Sequence, residues 1–181
     1  MSAISSVILL ISGGLALVFP RTVVQMGAGA GLTLGAAIAT ARNGGLAPGL
    51  AVLMAGLAAT IVVGSIPQSR NDNDPIGFPF RVTLTAFAAL SAVVLATGRP
   101  LGGTGAFDLN IGWYWAAMVG TVMLIGERRA TTIAMGLALV VGALALVTIH
   151  VSGTITPPVA IVLAAAPVSF ATAVRWIDQA T

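Results

Sequence analysis

The sequence predicts an all-α fold: a polytopic integral membrane helix bundle of about seven transmembrane helices, forming one membrane domain over residues 1–181. Three observations carry this prediction. Hydrophobic residues make up 57% of the chain and charged residues 7%, with a mean hydropathy of +1.04. The apolar residues gather in blocks near the length of roughly 20 helical residues that crosses a hydrocarbon core about 30 Å thick. The blocks are also continuous rather than alternating. In lipid the backbone must satisfy its own hydrogen bonds, so only helices and closed barrels span, and barrel strands would alternate polar with apolar residues.

The blocks place spans at 3–20, 22–41, 46–66, 82–98, 111–126, 130–151 and 155–174. The first lacks a basic start, and Pro20-Arg21 stands where a small-residue cleavage site would be expected, so it reads as a span rather than a signal peptide. Phe19-Pro20-Arg21 makes the turn of an N-terminal helical hairpin over 1–45. Arg42-Asn43-Gly44-Gly45 breaks the chain, and Pro48 then falls in a first helical turn, where its missing N–H is harmless. A four-helix core follows over 46–158. Within it, the fifth span is the shortest, and Trp113, Tyr114 and Trp115 at its start suit an interfacial aromatic belt. Glu127-Arg128-Arg129 is a very short turn that makes spans five and six antiparallel neighbours. Pro157-Pro158 opens the C-terminal helix of 159–181, which Pro167 should kink.

Arginine placement sets the orientation. With seven spans, Arg21, Arg70, Arg81, Arg128, Arg129 and Arg175 fall on one side, and Arg42 and Arg99 on the other. The N-terminus is therefore expected outside and the C-terminus in the cytoplasm, in the plasma (inner) membrane. The absence of cysteine excludes disulfides and thiolate metal sites. The pI near 11.2 reflects a net charge of only +3, without the density of a nucleic-acid-binding surface.

Gly27, Gly31 and Gly35 share one face of the second span, extended by Ala39, and give a groove where another helix backbone can approach closely. Such a row serves ordinary helix packing or a glycine zipper in an ion-driven ring. The ring requires a carboxylate at mid-membrane, and Asp72, Asp74, Asp108, Glu127 and Asp178 all fall in loops or at span edges. Packing is the reading adopted. Proton relays place ionisable groups inside the membrane. Here only His150 approaches such a position, near the end of span six, where it caps a helix or meets headgroups more readily than it binds a solute. No nucleophile, base and orienter appear together, and the serines and threonines are expected to bond their own helix carbonyls. No catalytic, cofactor-binding or metal-ligating residue is assigned, and an enzyme is not expected. The polar loop with Arg70, Asp72, Asp74 and Arg81 is either a solvated connection or a docking site for a partner.

One pattern goes beyond hydropathy. Asp74-Pro75-Ile76-Gly77-Phe78-Pro79-Phe80-Arg81 leads into a small-residue-rich helix with Leu84, Leu90 and Leu95. Ile111-Gly112-Trp113-Tyr114 then opens a helix ending Gly126-Glu127-Arg128-Arg129, and another runs towards Thr156-Pro157-Pro158. Over 46–158 this order resembles the small membrane subunit of tripartite tricarboxylate transporters. The sequence compresses that family's Gly-Pro and Phe-Pro elements, and it carries two spans before the matched core and one after it. The resemblance implies a non-catalytic partner of a large permease that moves organic acids on an ion gradient, supplied by a periplasmic binding protein.

The sequence therefore points to a small accessory subunit of a larger membrane assembly, with the lipid bilayer and a larger membrane subunit as partners. Two other readings stand beside it. One is a self-sufficient transporter or channel with a hydroxyl-lined path through Thr83, Thr85, Thr131, Thr132 and Ser169. The other is an accessory subunit of a redox complex whose cofactors are carried by other chains.

Overall fold

A computed structural model describes residues 2–19, 21–65, 77–99, 107–126 and 130–152. Six helices run through them: α1 (Ser2–Val18), α2 (Thr22–Gly44), α3 (Leu46–Gly64), α4 (Phe78–Gly98), α5 (Phe107–Gly126) and α6 (Ala130–Ser152). No strand occurs among the described residues. Four helices are long and apolar enough to cross a membrane: α2, α3, α4 and α6. α1 is apolar but shorter, and α5 carries Asp108 and Asn110 near its start. The seventh predicted span, 155–174, lies outside the described residues.

Two helices begin earlier than hydropathy suggests. α4 starts at Phe78 rather than at residue 82, because extended Gly77 (φ −64°, ψ 150°) leads into Pro79, whose fixed φ suits a first helical turn. α5 starts at Phe107 rather than at 111, which brings Asp108 into its first turn, where the helix dipole favours a carboxylate. Both shifts draw a charged residue from the expected loop into the protein. Arg81 and Asp108 are each buried. The α2–α3 joint is a single residue, Gly45, at φ +96°, with its N–H bonded to Ala41 O at 3.1 Å. A left-handed backbone at that point is the province of glycine.

Paired contacts fix the directions of the helices. Gly31 faces Ser12, and Gly35 faces Leu9, so α2 returns antiparallel along α1. Gly49 lies on Ala37 and Ala41 while Gly56 lies on Thr33, so α3 returns along α2. Arg81 meets Leu17 and Gly14 lies near Thr85, so α4 is antiparallel to α1. Ser5 meets Asp108 and Leu9 meets Trp115, so α5 is parallel to α1. Gln25 meets Thr132 and Gly29 meets Met135, so α6 is parallel to α2. The alternation predicted from the loops thus holds through the six described helices.

α5 is the inner element. It packs on α1, α2, α4 and α6, and Ile111, Trp113, Trp115, Val119 and Met123 are fully buried along it. The aromatic run expected at the membrane interface is therefore corrected. Trp113 and Trp115 are 2% and 0% exposed inside the bundle, and only Tyr114 reaches outward, its hydroxyl donating to Arg99 O at 2.9 Å. α3 and α4 instead turn large apolar side chains outward, among them Met54, Ile61, Phe87 and Leu90. In water such surface would be a liability; in a bilayer it is the face that lipid covers.

Small residues set the helix spacing. Where α5 crosses α6, Gly120 and Gly136 stand back to back. A Cβ on Gly120 would lie 2.6 Å from Gly136 O, and one on Gly136 would lie 2.8 Å from Gly120 O. The obstacle in both cases is backbone, which cannot rotate away. Gly120→Ala and Gly136→Ala are expected each to destabilise the purified protein by about 1–3 kcal/mol, the usual cost of overpacking. Gly27→Ala, with nothing within 4 Å of the added Cβ, should cause no loss. Denaturation in detergent, followed by circular dichroism, checks the order; equal losses at all three positions would contradict the crossing.

Candidate functional site

Buried polar side chains tie helices together at three places in the bundle. The first is at the N-terminal end of α5. Asp108 is the one acidic side chain among the described residues, and it is 4% exposed. Arg42, in the last turn of α2, donates from Nη1 to Asp108 Oδ2 at 3.1 Å. Asn43 Nδ2 reaches Oδ1 at 3.5 Å, and Ser5 Oγ, from α1, reaches Oδ2 at 3.5 Å. The carboxylate thus ties three helix ends together. Each charge also lies at the helix terminus whose dipole favours it, Asp108 at an N-terminus and Arg42 at a C-terminus. Arg42 keeps 42% of its side chain exposed, so water shares its charge and the pair is worth less than a fully buried one.

The second junction lies one to two turns deeper. Trp115 Nε1 donates to Leu9 O at 2.7 Å. In an α-helix that carbonyl already accepts from the N–H four residues on, and its second lone pair takes the indole. Gly13 opens the notch: a Cβ there would lie 2.6 Å from Trp115 Cε2 and 2.9 Å from Val119 Cγ2. A tryptophan of α5 enters α1 where α1 has no side chain.

The third junction is at the opposite end. Gln25 of α2 is 3% exposed; its Nε2 donates to Ala16 O of α1 at 3.5 Å, and Thr132 of α6 donates to its Oε1 at 3.1 Å. Nearby, Arg81 Nη1 donates to Leu17 O at 3.3 Å. Leu17 lies in the last turn of α1, whose terminal carbonyls lack helical partners, and a guanidinium there satisfies one of them.

An apolar groove opens between α2, α3, α5 and α6. Leu32 and Ala36 form its floor, Val52 and Ala59 one wall, and Leu139 and Leu146 the other. Two hydroxyls reach it, both already committed: Thr33 donates to Gly29 O at 2.9 Å and Thr60 to Gly56 O at 2.8 Å.

The residues singled out from the sequence are distributed as follows. Gly31 and Gly35 lie in the α1–α2 contact, whereas Gly27 is exposed with nothing within 4 Å. Arg70, Asp72 and Asp74 lie outside the described residues. Arg81 is 7% exposed and turned towards α1. Four of the five residues of the hydroxyl path, Thr83, Thr85, Thr131 and Thr132, lie among the described residues. Thr83 and Thr85 on α4 bond back to Pro79 O and Arg81 O, Thr132 is bound to Gln25, and α5 packs against both α4 and α6. Ser169 and the side chain of His150 are outside the description. Sequence reasoning passed over Asp108, Arg42, Asn43 and Gln25. The signal for the first three was topological: alternation places 42–45 and 99–110 at one end of the bundle, where the two opposite charges were available to each other. Gln25 stood as a lone amide inside a predicted span.

Among the described residues no three His, Cys, Asp or Glu side chains come together to hold a metal ion. Comparison with protein-family models, curated proteins and solved structures gives no match.

A double-mutant cycle tests the first junction. Arg42→Gln and Asp108→Asn are each expected to destabilise, with a coupling of about 1 kcal/mol, the scale of a charge-assisted contact discounted for exposure. Additive losses in unfolding experiments would show that the pair does not act as a unit.

Proposed function

We propose that the chain is a small, non-catalytic structural subunit of a larger assembly in the plasma (inner) membrane, built from seven spans, with its N-terminus outside and its C-terminus cytoplasmic. One observation carries this reading. Four buried polar side chains in the core are engaged with other helices of the same chain: Asp108 with Arg42, Gln25 with Thr132, Trp115 with Leu9 O and Arg81 with Leu17 O. Polar groups in a membrane protein that handles ions or solutes usually face a path through the bundle. Here they serve as ties between helices, the use expected of a scaffold.

The assembly we infer is a secondary transporter for organic acids, as the resemblance of 46–158 implies, with the permease chain holding the substrate. The loop with Arg70, Asp72 and Asp74 is the proposed contact with that chain. Arg81 supports it from behind: buried against α1, it fixes the start of α4 from which the loop departs. This gives Arg81 a positioning role within the docking set, while the acids of the loop meet the partner.

Extraction of native membranes in a mild detergent is expected to bring down a large polytopic membrane protein in fixed stoichiometry. The charge reversals Asp72→Arg and Asp74→Arg should release it without unfolding this chain. The purified chain alone, in liposomes, should pass no organic acid. A chain that purifies alone and supports substrate-dependent flux would overturn the proposal.

A further inference from the structure

The geometry points to a place for one anionic phospholipid where α1 gives way to α2: its phosphate at Arg21, an acyl chain along the seam between α1 and α4. The inference goes beyond the structural role proposed above, and it does not depend on which leaflet this end of the bundle faces.

Arg21 stands between two apolar helices, α1 ending at Val18 and α2 beginning at Thr22. It is exposed and makes no ion pair with a described residue. A guanidinium tied to two helix ends in lipid reaches for the boundary between hydrocarbon and water, and it stays charged there. The described residues at this end add no negative charge. Arg81 lies buried close by against Leu17 O, whereas Asp108, the one described acid, sits at the opposite end against Arg42.

The apolar half of the site begins two residues away. Phe19 continues the last turn of α1, its N–H bonded to Leu15 O at 3.1 Å, and its ring lies 6.4 Å from that of Phe78 on α4. Both rings are exposed. One turn further from this end, Leu15 on α1 and Val82 on α4 are exposed as well, at the four-residue spacing that keeps to one helix face. Between these two ridges Gly14 stands opposite Thr85, whose hydroxyl is turned back to Arg81 O at 2.7 Å. The seam at this depth therefore offers packing surface and no free hydroxyl. A cation at the boundary with an apolar track running inward from it matches an amphiphile with a negative head.

Charge selects among the occupants. A headgroup of net negative charge leaves its attraction to arginine uncancelled, whereas a choline headgroup places its own cation beside the phosphate. A second copy of the chain brings no described carboxylate to this depth, because Asp108 is buried at the other end.

The test uses the full chain carrying Trp176→Phe and Phe78→Trp, reconstituted in phosphatidylcholine bilayers. A minor fraction of the lipid is acyl-brominated phosphatidylglycerol or, separately, acyl-brominated phosphatidylcholine. Trp113 and Trp115 are shielded inside the bundle, so lipid-dependent quenching reports on position 78. Brominated phosphatidylglycerol is expected to quench as though enriched about fivefold over phosphatidylcholine, the worth of one arginine near an anionic headgroup. Arg21→Gln should bring the two lipids level. Arg21→Lys, which keeps the charge, and Arg99→Gln, at an exposed arginine of the opposite end, should both leave the preference in place. Equal quenching by the two lipids with Arg21 intact, or a preference that survives Arg21→Gln, overturns the site. So does an equal loss with Arg99→Gln, which would make the attraction a property of net charge alone, or with Arg21→Lys. An absence of quenching by either lipid would place a second copy over the seam and overturns it too.

Discussion

In hydrocarbon a polar side chain must find its partner inside the protein, and in this chain that requirement bears hardest on α5. The helix carries an aspartate, an asparagine and two tryptophans within its first nine residues. Lipid would not accept that end of the helix. The bundle does, by placing it inside and bringing a matching group from a neighbour: Arg42 and Asn43 from α2, Ser5 and the Leu9 carbonyl from α1. Once α5 is interior, the remaining order follows. α1, α2, α4 and α6 pack on it, and α3 and α4 are left to present apolar faces outward.

The polar ties act at intervals along the bundle, and glycine acts between them. A tie fixes which helices meet and in what register, but cannot bring two backbones into contact over several turns. Gly13 admits Trp115, Gly31 and Gly35 admit α1, and Gly120 with Gly136 lets α5 and α6 touch backbone to backbone. Threonine adds little between helices: Thr33, Thr40, Thr60, Thr85 and Thr121 each donate to the carbonyl four residues earlier. That is the use foreseen for hydroxyls in a membrane helix, and it leaves specificity to a few amides, charges and indoles.

The helices themselves were legible from hydropathy, because a run that cannot contact water has few alternatives to a spanning helix. Their directions were legible too, since short turns force alternation. Hydropathy misplaced the end of α2, which runs on through Arg42 to Gly44, and two helix starts, the latter for one reason. It treats Arg81 and Asp108 as loop residues because a charge alone is unfavourable in lipid, but each is satisfied in the fold, by Leu17 O and by Arg42. The aromatic run 113–115 misled in the opposite direction. Amphipathic rings suit an interface, yet the Trp115 indole finds an acceptor inside the protein in Leu9 O and is equally content there. Of the candidate site, the glycine row of α2 was visible as a pattern, but not which member meets a neighbour. Gly27 and Gly31 look alike in sequence and differ only in what α1 places opposite them.

The central claim, that α5 is the interior helix of a lipid-embedded bundle, can be measured with the indoles it already carries. With Trp176 replaced by phenylalanine, only Trp113 and Trp115 remain, and both are shielded by protein. Reconstituted into bilayers with brominated acyl chains, that variant should show little quenching, while adding Met54→Trp should introduce emission that bromolipid quenches strongly. Strong quenching of Trp113 and Trp115, or none of a tryptophan at position 54, would contradict the account.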